Sequence, residues 1–451
     1  MKKLLKELLE INLILILSFF CNPIIGSKNG KTSISIKGDK WYINNKIINK
    51  GSPSEGLLMN VRMVNAVFED RGNSMPGTPG SFDPGKNTET FISKIPEYLA
   101  TGVNGFTISL QGGDPGYENA VNSAYESDGS LRMEYMERVA RIIRATDEYS
   151  GIIILSCFYQ RQHIQGFELN GKTAILNAVS NTASWIKRNN FRNVVLEISN
   201  EYKHGGYLNW IDGKWLVSNK GQVELIKLAK SIYPIMPVGT SGMGDGFMVD
   251  SLAAAEDYLI VHFNNTSLED YPAKIKEMKK TGKPLLCNED DKISNAARSA
   301  LVFSVINGCG WGYMNHRQNQ ILPFRFEGLK DDSVMYNMMK KITTAGYIID
   351  KSLYRYPYVI ITYPKDGDIF TAGQRINIRY SYLFPDTSKK SFVKIFSNKN
   401  QIGIGLENRN QYSWLLKEAG IFNLETIIYD KDGNELLRSP KVDIIVHDTT
   451  K

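Results

Sequence analysis

The chain has 451 residues, of which 42% are apolar and 22% charged, a composition typical of globular proteins that excludes a mainly disordered chain. Its net charge of +7 does not indicate a nucleic-acid partner, because the excess lies at the two ends. Residues 1–34 hold five lysines against two acidic residues, and residues 352–451 hold 14 basic against 11 acidic residues. The length predicts one large domain and one smaller domain.

The N-terminus has the pattern of a signal peptide over residues 1–26. Three lysines within the first six residues precede a short apolar run at 11–20. That run is too short for a good membrane-spanning helix. Cys21 occupies the position of the lipidated cysteine of a bacterial lipoprotein, so ordinary secretion and membrane attachment through Cys21 both stay open. Either alternative predicts an exported protein that is periplasmic, at the cell surface or secreted.

Two short alternating runs about a Gly-Asp turn, at 34–48, predict a β-hairpin that closes the floor of the next domain. From residue 57 onward, strand and helix patterns alternate. The predicted strands are 57–68, 105–111, 152–159, 194–201, 235–240, 258–263, 284–289 and 311–315. The predicted helices are 88–99, 131–149, 172–189, 221–232, 250–257, 268–281, 292–306 and 332–345. Eight such units, paired in parallel through right-handed crossovers, predict a (β/α)8 TIM barrel over residues 33–350.

The helical period ends near residue 354. Short strand patterns separated by turn signals such as Asp430 to Gly433 follow. This pattern predicts an immunoglobulin-like β-sandwich over residues 354–447. Two roles stay open for this domain: it packs on the barrel, or it binds glycan.

Two acidic side chains follow buried strands of the predicted barrel. Glu201 ends the fourth strand, in the run N-V-V-L-E-I-S-N-E-Y, and Glu289 ends the seventh, in K-P-L-L-C-N-E-D-D. Catalytic groups of such barrels lie at the C-terminal ends of the strands. Two carboxyl groups there are what the cleavage of a glycosidic bond requires, one as an acid and the other as a nucleophile or base. The alternative is that acidic residues at strand ends cap the next helix.

With acids after strands four and seven, the barrel resembles clan A of the glycoside hydrolases, also called the four/seven superfamily. It is similar to a cellulase-like bacterial subgroup in the runs Asn60–Asn65, Asn288–Asp291 and Phe324–Gly328. The resemblance implies a retaining mechanism with Glu201 as acid/base and Glu289 as nucleophile. It also implies that Asn200 binds the 2-hydroxyl group of the sugar.

Glu289 needs a cationic neighbour to stay ionised, and Arg62 is the candidate, since the clan often has such an arginine. The alternative is that Arg62 pairs with buried Glu197. By strand alternation Asp291 could share the face of Glu289 and compete for the role of nucleophile. One of Asp290 and Asp291 is expected to cap the next helix.

Four further residues are candidates for substrate binding. His262 ends strand six, where the clan often has a side chain touching the nucleophile. Trp311, on strand eight, could be an aromatic floor for a sugar ring, or simple barrel core. Tyr159 and Gln111 end strands three and two and are candidate hydrogen-bond partners of sugar hydroxyls, although loops at this face are polar in any case.

The sequence thus predicts an exported, monomeric retaining glycoside hydrolase that acts on a poly- or oligosaccharide and needs no metal or organic cofactor. The alternative is a non-catalytic glycan-binding surface protein on a hydrolase-like barrel. A metal-dependent hydrolase is disfavoured, because the five histidines form no His-x-His or His-x-x-x-His pattern and the four cysteines no CxxC pair.

Overall fold

A computed structural model describes most of the chain. The described residues are 30–72, 75, 82–246, 250–350, 352–353, 357–383, 392–405 and 410–448. The predicted signal peptide at 1–26, with Cys21, lies outside them. Among the described helices, none combines the length and the apolar character needed to cross a membrane.

A small antiparallel sheet at the start of the described chain closes one end of the barrel. Its strands are β1 (Ile34–Lys37), β2 (Lys40–Ile43) and β3 (Lys46–Ile47), so a third short strand extends the predicted hairpin. Trp41, on β2, is 1% exposed and packs edge-on against Tyr258, with 5.0 Å between the ring centroids. It fills the apolar floor of the barrel together with inward side chains of several barrel strands.

The described residues form an eight-stranded parallel sheet in the order β8-β7-β6-β5-β4-β11-β10-β9. Its strands are β4 (Met59–Arg62), β5 (Gly105–Ser109), β6 (Ile152–Phe158), β7 (Val194–Ser199), β8 (Val238–Gly239), β9 (Leu259–His262), β10 (Leu285–Asp290) and β11 (Gly310–Tyr313). A parallel bridge between Ser241 and Ile260 joins the two edge strands and closes the barrel. The fold is therefore the predicted (β/α)8 barrel.

Helices follow the barrel strands and bury their apolar faces against them. They are α1 (Pro84–Leu99), α2 (Met133–Glu148), α3 (Gly171–Arg188), α4 (Gly213–Leu216), α5 (Asn219–Ile232), α6 (Asp250–Ala253), α7 (Tyr271–Lys279), α8 (Ser294–Ile306) and α9 (Ser333–Ile342). Amphipathic spacing of 3.6 residues in the sequence located the long helices to within a few residues.

The first barrel strand is much shorter than predicted. It ends at Arg62, and Val64–Val67 form a buried 3-10 turn instead of continuing it. A continuous apolar run does not distinguish a buried strand from a buried helical turn. For this reason the strand predicted from the sequence, at 57–68, is too long. Arg62 consequently lies at the end of its strand, at the mouth of the barrel, and not in its middle.

The C-terminal part is a β-sandwich of two sheets, as predicted. Its strands are β12 (Tyr358–Tyr363), β13 (Ile369–Thr371), β14 (Arg375–Leu383), β15 (Phe392–Ser397), β16 (Asn400–Gly405), β17 (Gln411–Leu415), β18 (Gly420–Tyr429), β19 (Glu435–Arg438) and β20 (Val442–His447). One sheet has the order β12-β14-β17 and the other β13-β20-β18-β15-β16, with β19 beside β18. The sequence pattern did not predict β13, β16 and β19, because these strands are short or contain glycine.

The floor of the barrel gives a stability prediction. Replacing Trp41 with alanine should lower the free energy of unfolding by about 3–5 kcal/mol, because it opens a cavity among side chains that cannot close it. Replacing Tyr149, which is 54% exposed, with alanine is the control and should change stability by less than about 0.5 kcal/mol. Chemical denaturation measures both, and equal effects would show that Trp41 does not hold the floor.

Candidate active site

Glu201 lies in the turn that follows β7, at the mouth of the barrel. Its backbone has φ +49, in the left-handed region that residues other than glycine seldom adopt. Its N–H donates to the hydroxyl of Ser241 at 2.8 Å, and the N–H of Tyr202 donates to the carbonyl of Ser241 at 3.1 Å. The neighbouring strand end thus holds a sharp turn at the acidic residue, whose side chain is 14% exposed.

Glu289 reaches the mouth through an irregularity in β10. The register of this strand against β9 shifts between Cys287 and Glu289. Asn288 faces the barrel interior, where its amide donates to Glu197 at 3.4 Å, and Glu289 also faces inward, beside Arg62. Two consecutive residues therefore face the same side, and simple alternation does not hold at this strand end.

The two predicted catalytic carboxyl groups are close together. A carboxyl oxygen of Glu201, one of Glu289 and a ring nitrogen of His262 all lie within 4.8 Å of one another. Nδ1 of His262 is 3.2 Å from Oε1 of Glu201 and 3.7 Å from Oε2 of Glu289. Since ionised Glu201 is an acceptor, the tautomer with a proton on Nδ1 donates to Glu201, and the same ring lies close enough to Glu289 to feel its charge. The negative charges of Glu289 and Glu201 outweigh the effect of burial and raise the pKa of His262.

Arg62 and Asn264 hold Glu289 from two sides. Nε of Arg62 is 2.8 Å from Oε2 of Glu289, and the amide of Asn264 donates to Oε1 at 2.6 Å. Burial by itself would raise the pKa of Glu289, but the charges of Arg62 and His262 and the hydrogen bond from Asn264 lower it below its ordinary value. The carboxyl group is therefore kept ionised although it is buried. The alternative that Arg62 pairs with Glu197 is wrong.

Asn200 is fixed by the same arginine. Nη2 of Arg62 donates to its Oδ1 at 2.7 Å, and its Nδ2 donates to Gln160 at 3.2 Å. Arg62 thereby links the ends of the first, fourth and seventh barrel strands. Its Nη1 is buried, and no described residue accepts a hydrogen bond from it.

Two expectations from the sequence, about Trp311 and Asp290, are corrected by the structure. Trp311 is fully buried, and its ring N–H donates to Asp290 at 2.9 Å on the outer side of the barrel wall, so it offers no face to a sugar. Its strand neighbour Gly312, not Trp311, faces the interior, next to Asn60. Asp290 is buried and also accepts from Lys292 at 3.0 Å, so it caps no helix.

Asp291 does not share the face of Glu289. Its side chain is 4% exposed and forms an ion pair with Lys365 of the sandwich. It caps no helix either, because α8 begins after Ile293 without a side-chain cap, and the N–H of Ser294 donates to Asp332. Glu289 is therefore the only acid of this strand end among the described residues that faces Glu201.

Tyr159 and Gln111 lie beside the site in different environments. Tyr159 is partly exposed, its ring covers Gly112, and burial together with nearby Asp114 raises its pKa. Gln111 is 1% exposed and donates to Ser123 at 3.2 Å, so the free protein does not present it to solvent. Of the two, Tyr159 is the one placed to meet a ligand without rearrangement.

Several contributors to the site were missed in the sequence. Asn264 lies two residues after His262, and this spacing could have placed it on the same face. For Gln160, which adjoins the predicted Tyr159, it was the contact with Asn200 that was missed. The contact of Lys365 with the barrel carries no sequence signal, since it depends on how two domains pack.

The cluster of Glu201, His262 and Glu289 is also a possible set of metal ligands by its donor atoms. Both oxygens of Glu289 already have partners, because one accepts a hydrogen bond from Asn264 and the other forms an ion pair with the cationic Arg62. A metal ion there would be repelled by the guanidinium group and would have to displace a short hydrogen bond. The arrangement therefore fits two working carboxyl groups better than a metal centre.

No protein-family model matches the chain, and no curated protein sequence matches it. Among solved structures, it is similar to a β-glucuronidase from Parabacteroides merdae, with 11% identity and a TM-score of 0.39 over 93% of this chain and 51% of that one. It is similar to a tri-modular GH5 (subfamily 4) endo-β-1,4-glucanase from Bacillus licheniformis complexed with cellotetraose, with 14% identity and a TM-score of 0.43 over 89% of this chain and 80% of that one. The fibronectin(III)-like modules of Clostridium thermocellum CbhA match 21% of this chain and 98% of theirs, with 22% identity and a TM-score of 0.18. The chain spans about half the length of the glucuronidase.

The buried ion pair gives a prediction that needs no substrate. Replacing Arg62 with glutamine should lower the free energy of unfolding at pH 7 by about 3–5 kcal/mol, because it leaves the charge of Glu289 buried without its main partner. The loss of Arg62 raises the pKa of Glu289, so the buried carboxyl group of the variant takes up a proton at a higher pH than in the wild type. The penalty should therefore shrink as the pH falls from 7 to 4.

Arg144→Gln is the matched control, because Arg144 pairs with Glu137 at 3.5 Å with both side chains more than half exposed. It should change stability by less than about 1 kcal/mol at either pH. Denaturation curves at pH 7 and pH 4 measure both variants. A penalty for Arg62→Gln that is small, or the same at both pH values, would contradict the role given to the pair.

Proposed function

We propose that this protein is a retaining glycoside hydrolase of a poly- or oligosaccharide, with Glu289 as nucleophile and Glu201 as acid/base. The observation that carries the proposal is the pair of carboxyl groups within 4.8 Å at the mouth of a (β/α)8 barrel. Retaining glycosidases place their carboxyl groups about 5–5.5 Å apart, and inverting enzymes about 6.5–9.5 Å, to leave room for a water molecule. The short separation supports retention.

In the first step an oxygen of Glu289 forms a bond to the anomeric carbon while the bond to the leaving oxygen breaks. Glu201 gives its proton to that oxygen, so the leaving group departs as a neutral alcohol. Arg62, His262 and Asn264 suit Glu289 for attack because they keep it ionised in a buried place. The product of this step is an ester between the sugar and Glu289.

In the second step water replaces the ester. Glu201, now ionised, takes a proton from the water, whose oxygen attacks the anomeric carbon and releases Glu289 as a carboxylate. The uncharged ester no longer repels ionised Glu201, which helps the same group to act first as acid and then as base. His262 stays within hydrogen-bond distance of Glu201 and can hold it in place through both steps.

Polar residues at the mouth suit sugar hydroxyls. Asn200 lies next to the acid and is immobilised by Arg62 and Gln160, so it can present its amide in a fixed orientation. Tyr159 and the exposed pair of Arg161 with Asp114, 2.7 Å apart, lie on the neighbouring strand ends. Export and a monomeric state remain predictions from the sequence.

Carboxamide variants of the two glutamates test the proposal. Glu201→Gln should lower kcat about 10²–10⁴-fold on natural glycosides, because it removes the general acid and base. Glu289→Gln should remove activity to a similar or greater extent. The assay measures release of reducing sugar from a panel of polysaccharides, and the wild type is also assayed with a metal chelator, which should leave its activity intact.

The control is Glu256→Gln, in a carboxyl group outside the site. Burial raises the pKa of Glu256 to about 8, so this group is mainly neutral at pH 7 and glutamine is a close substitute. The variant should keep near wild-type activity. If the wild type binds glycans but cleaves none, the non-catalytic glycan-binding alternative replaces the enzyme. Full hydrolytic activity of Glu201→Gln would instead contradict the role given to Glu201. If the chelator abolishes the activity of the wild type, this would instead indicate a metal site at the two glutamates and His262.

A further inference from the structure

The loop between β12 and β13, at 364–368, connects the sandwich to the mouth of the barrel. Arg317 pairs with Asp366 at 3.1 Å, and the carbonyl of Asp366 lies 3.1 Å from Nδ1 of His316. Gly367, with φ +87, packs so closely that a Cβ there would lie 2.6 Å from Cδ1 of Ile321. His316, Arg317 and Ile321 follow the last barrel strand, so the loop lies on the same face as the two glutamates.

Lys365 reaches furthest toward the site. Its Nζ forms an ion pair with Asp291, which lies two residues after Glu289. Its own N–H donates to Asp368 at 2.7 Å, which fixes the loop around it. The side chain of Asp291 is almost fully buried and that of Lys365 is 28% exposed, so water weakens their attraction much less than it would at the surface.

Apolar contacts dock the sandwich independently of this pair. Tyr358 and Ile360, on β12, are buried in the same apolar core as the barrel side chains. Lys365 and Asp291, by contrast, line a cavity of about 460 Å³ between the two domains. The ion pair therefore does not fill a packed interface, and its loss would leave the domains together.

The charge of Lys365 also acts on Glu289. Burial would raise the pKa of Glu289, and Lys365 is among the neighbours that lower it, after Arg62, His262 and Asn264. No hydrogen bond is needed for this effect, which acts through space in a site with little water.

We infer that Lys365 of the sandwich is a positioning residue for the barrel's active site, where its ion pair with Asp291 fixes the strand end that carries Glu289. This inference rests on the proposed function. It makes the sandwich a working part of the catalytic centre and not an independent glycan-binding module. Asp368 of the same loop interacts electrostatically with Asp114 and Arg161 at the rim, so the loop also forms a wall of the cleft.

The test uses the full-length chain and the variants Lys365→Met, Lys365→Arg and Asp291→Asn, with Lys431→Met on an exposed turn of the sandwich as control. The readout is kcat/KM against pH. In this profile the acid limb is the fall of kcat/KM at low pH, where Glu289 takes up a proton. Lys365→Met should move the acid limb to higher pH by about half a unit or more, because Glu289 loses a positive neighbour and its pKa rises. Lys365→Arg should restore the wild-type limb, and Lys431→Met should not move it.

Asp291→Asn separates position from charge. It breaks the ion pair but keeps the charge of Lys365, so kcat/KM should fall while the acid limb stays in place or moves to lower pH. The inference would be overturned if Lys365→Met had the same kcat/KM as the wild type and an acid limb at the same pH. So would a uniform loss of activity in Lys365→Met with the acid limb unmoved, since that is the result of a purely structural contact.

An activity-independent measurement distinguishes failure of this inference from failure of the proposed function. The chain has five histidines, so a nitrogen-15 NMR titration resolves the ring of His262, assigned with a His262→Gln variant. Ionisation of Glu289 should appear in the His262 signal, at higher pH in Lys365→Met than in the wild type. A shifted titration without glycosidase activity would refute the proposed function alone. Activity together with identical titrations would refute the inference alone.

Discussion

The ion pair between Arg62 and Glu289 is the interaction on which the site depends. A buried carboxylate is costly unless a cation and hydrogen bonds compensate it. Here Arg62 supplies the charge at 2.8 Å, Asn264 donates a hydrogen bond, and Arg62 also holds Asn200 beside the acid. One guanidinium group thus makes the largest contribution to the ionisation of the proposed nucleophile and also links three strand ends.

Around this pair the backbone conformation, the regularity of a strand and the burial of a charged group all depart from what is usual in proteins, as they commonly do at active sites. Glu201 adopts a left-handed backbone conformation that costs about 1–2 kcal/mol in a residue with a side chain. β10 is irregular at Glu289, and below it the carboxyl group of Glu197 is buried with one oxygen to which no described residue donates. The apolar floor around Trp41 and the closed sheet offset these costs.

The barrel, its long helices and the two acidic strand ends could be predicted from the sequence, because buried parallel strands and amphipathic helices leave clear periodic patterns. The face of a side chain could not be predicted where the backbone is irregular. Alternation misplaced Asp291, and an apolar run concealed that the first strand stops at Arg62. Trp311 was misassigned because a strand alone does not show which face its aromatic residue takes. Lys365 was missed because its partner belongs to another domain.

The most direct test of the central claim is to identify the residue that carries the sugar in the intermediate. The wild-type protein is incubated with a 2-deoxy-2-fluoro glycoside that has an activated leaving group, made with a sugar it is found to cleave, and its peptides are then analysed by mass spectrometry. The fluorine slows both steps, and the good leaving group lets the ester accumulate. The account predicts one glycosyl adduct, on Glu289. An adduct on Asp291, or an inverted product without any adduct, would contradict it.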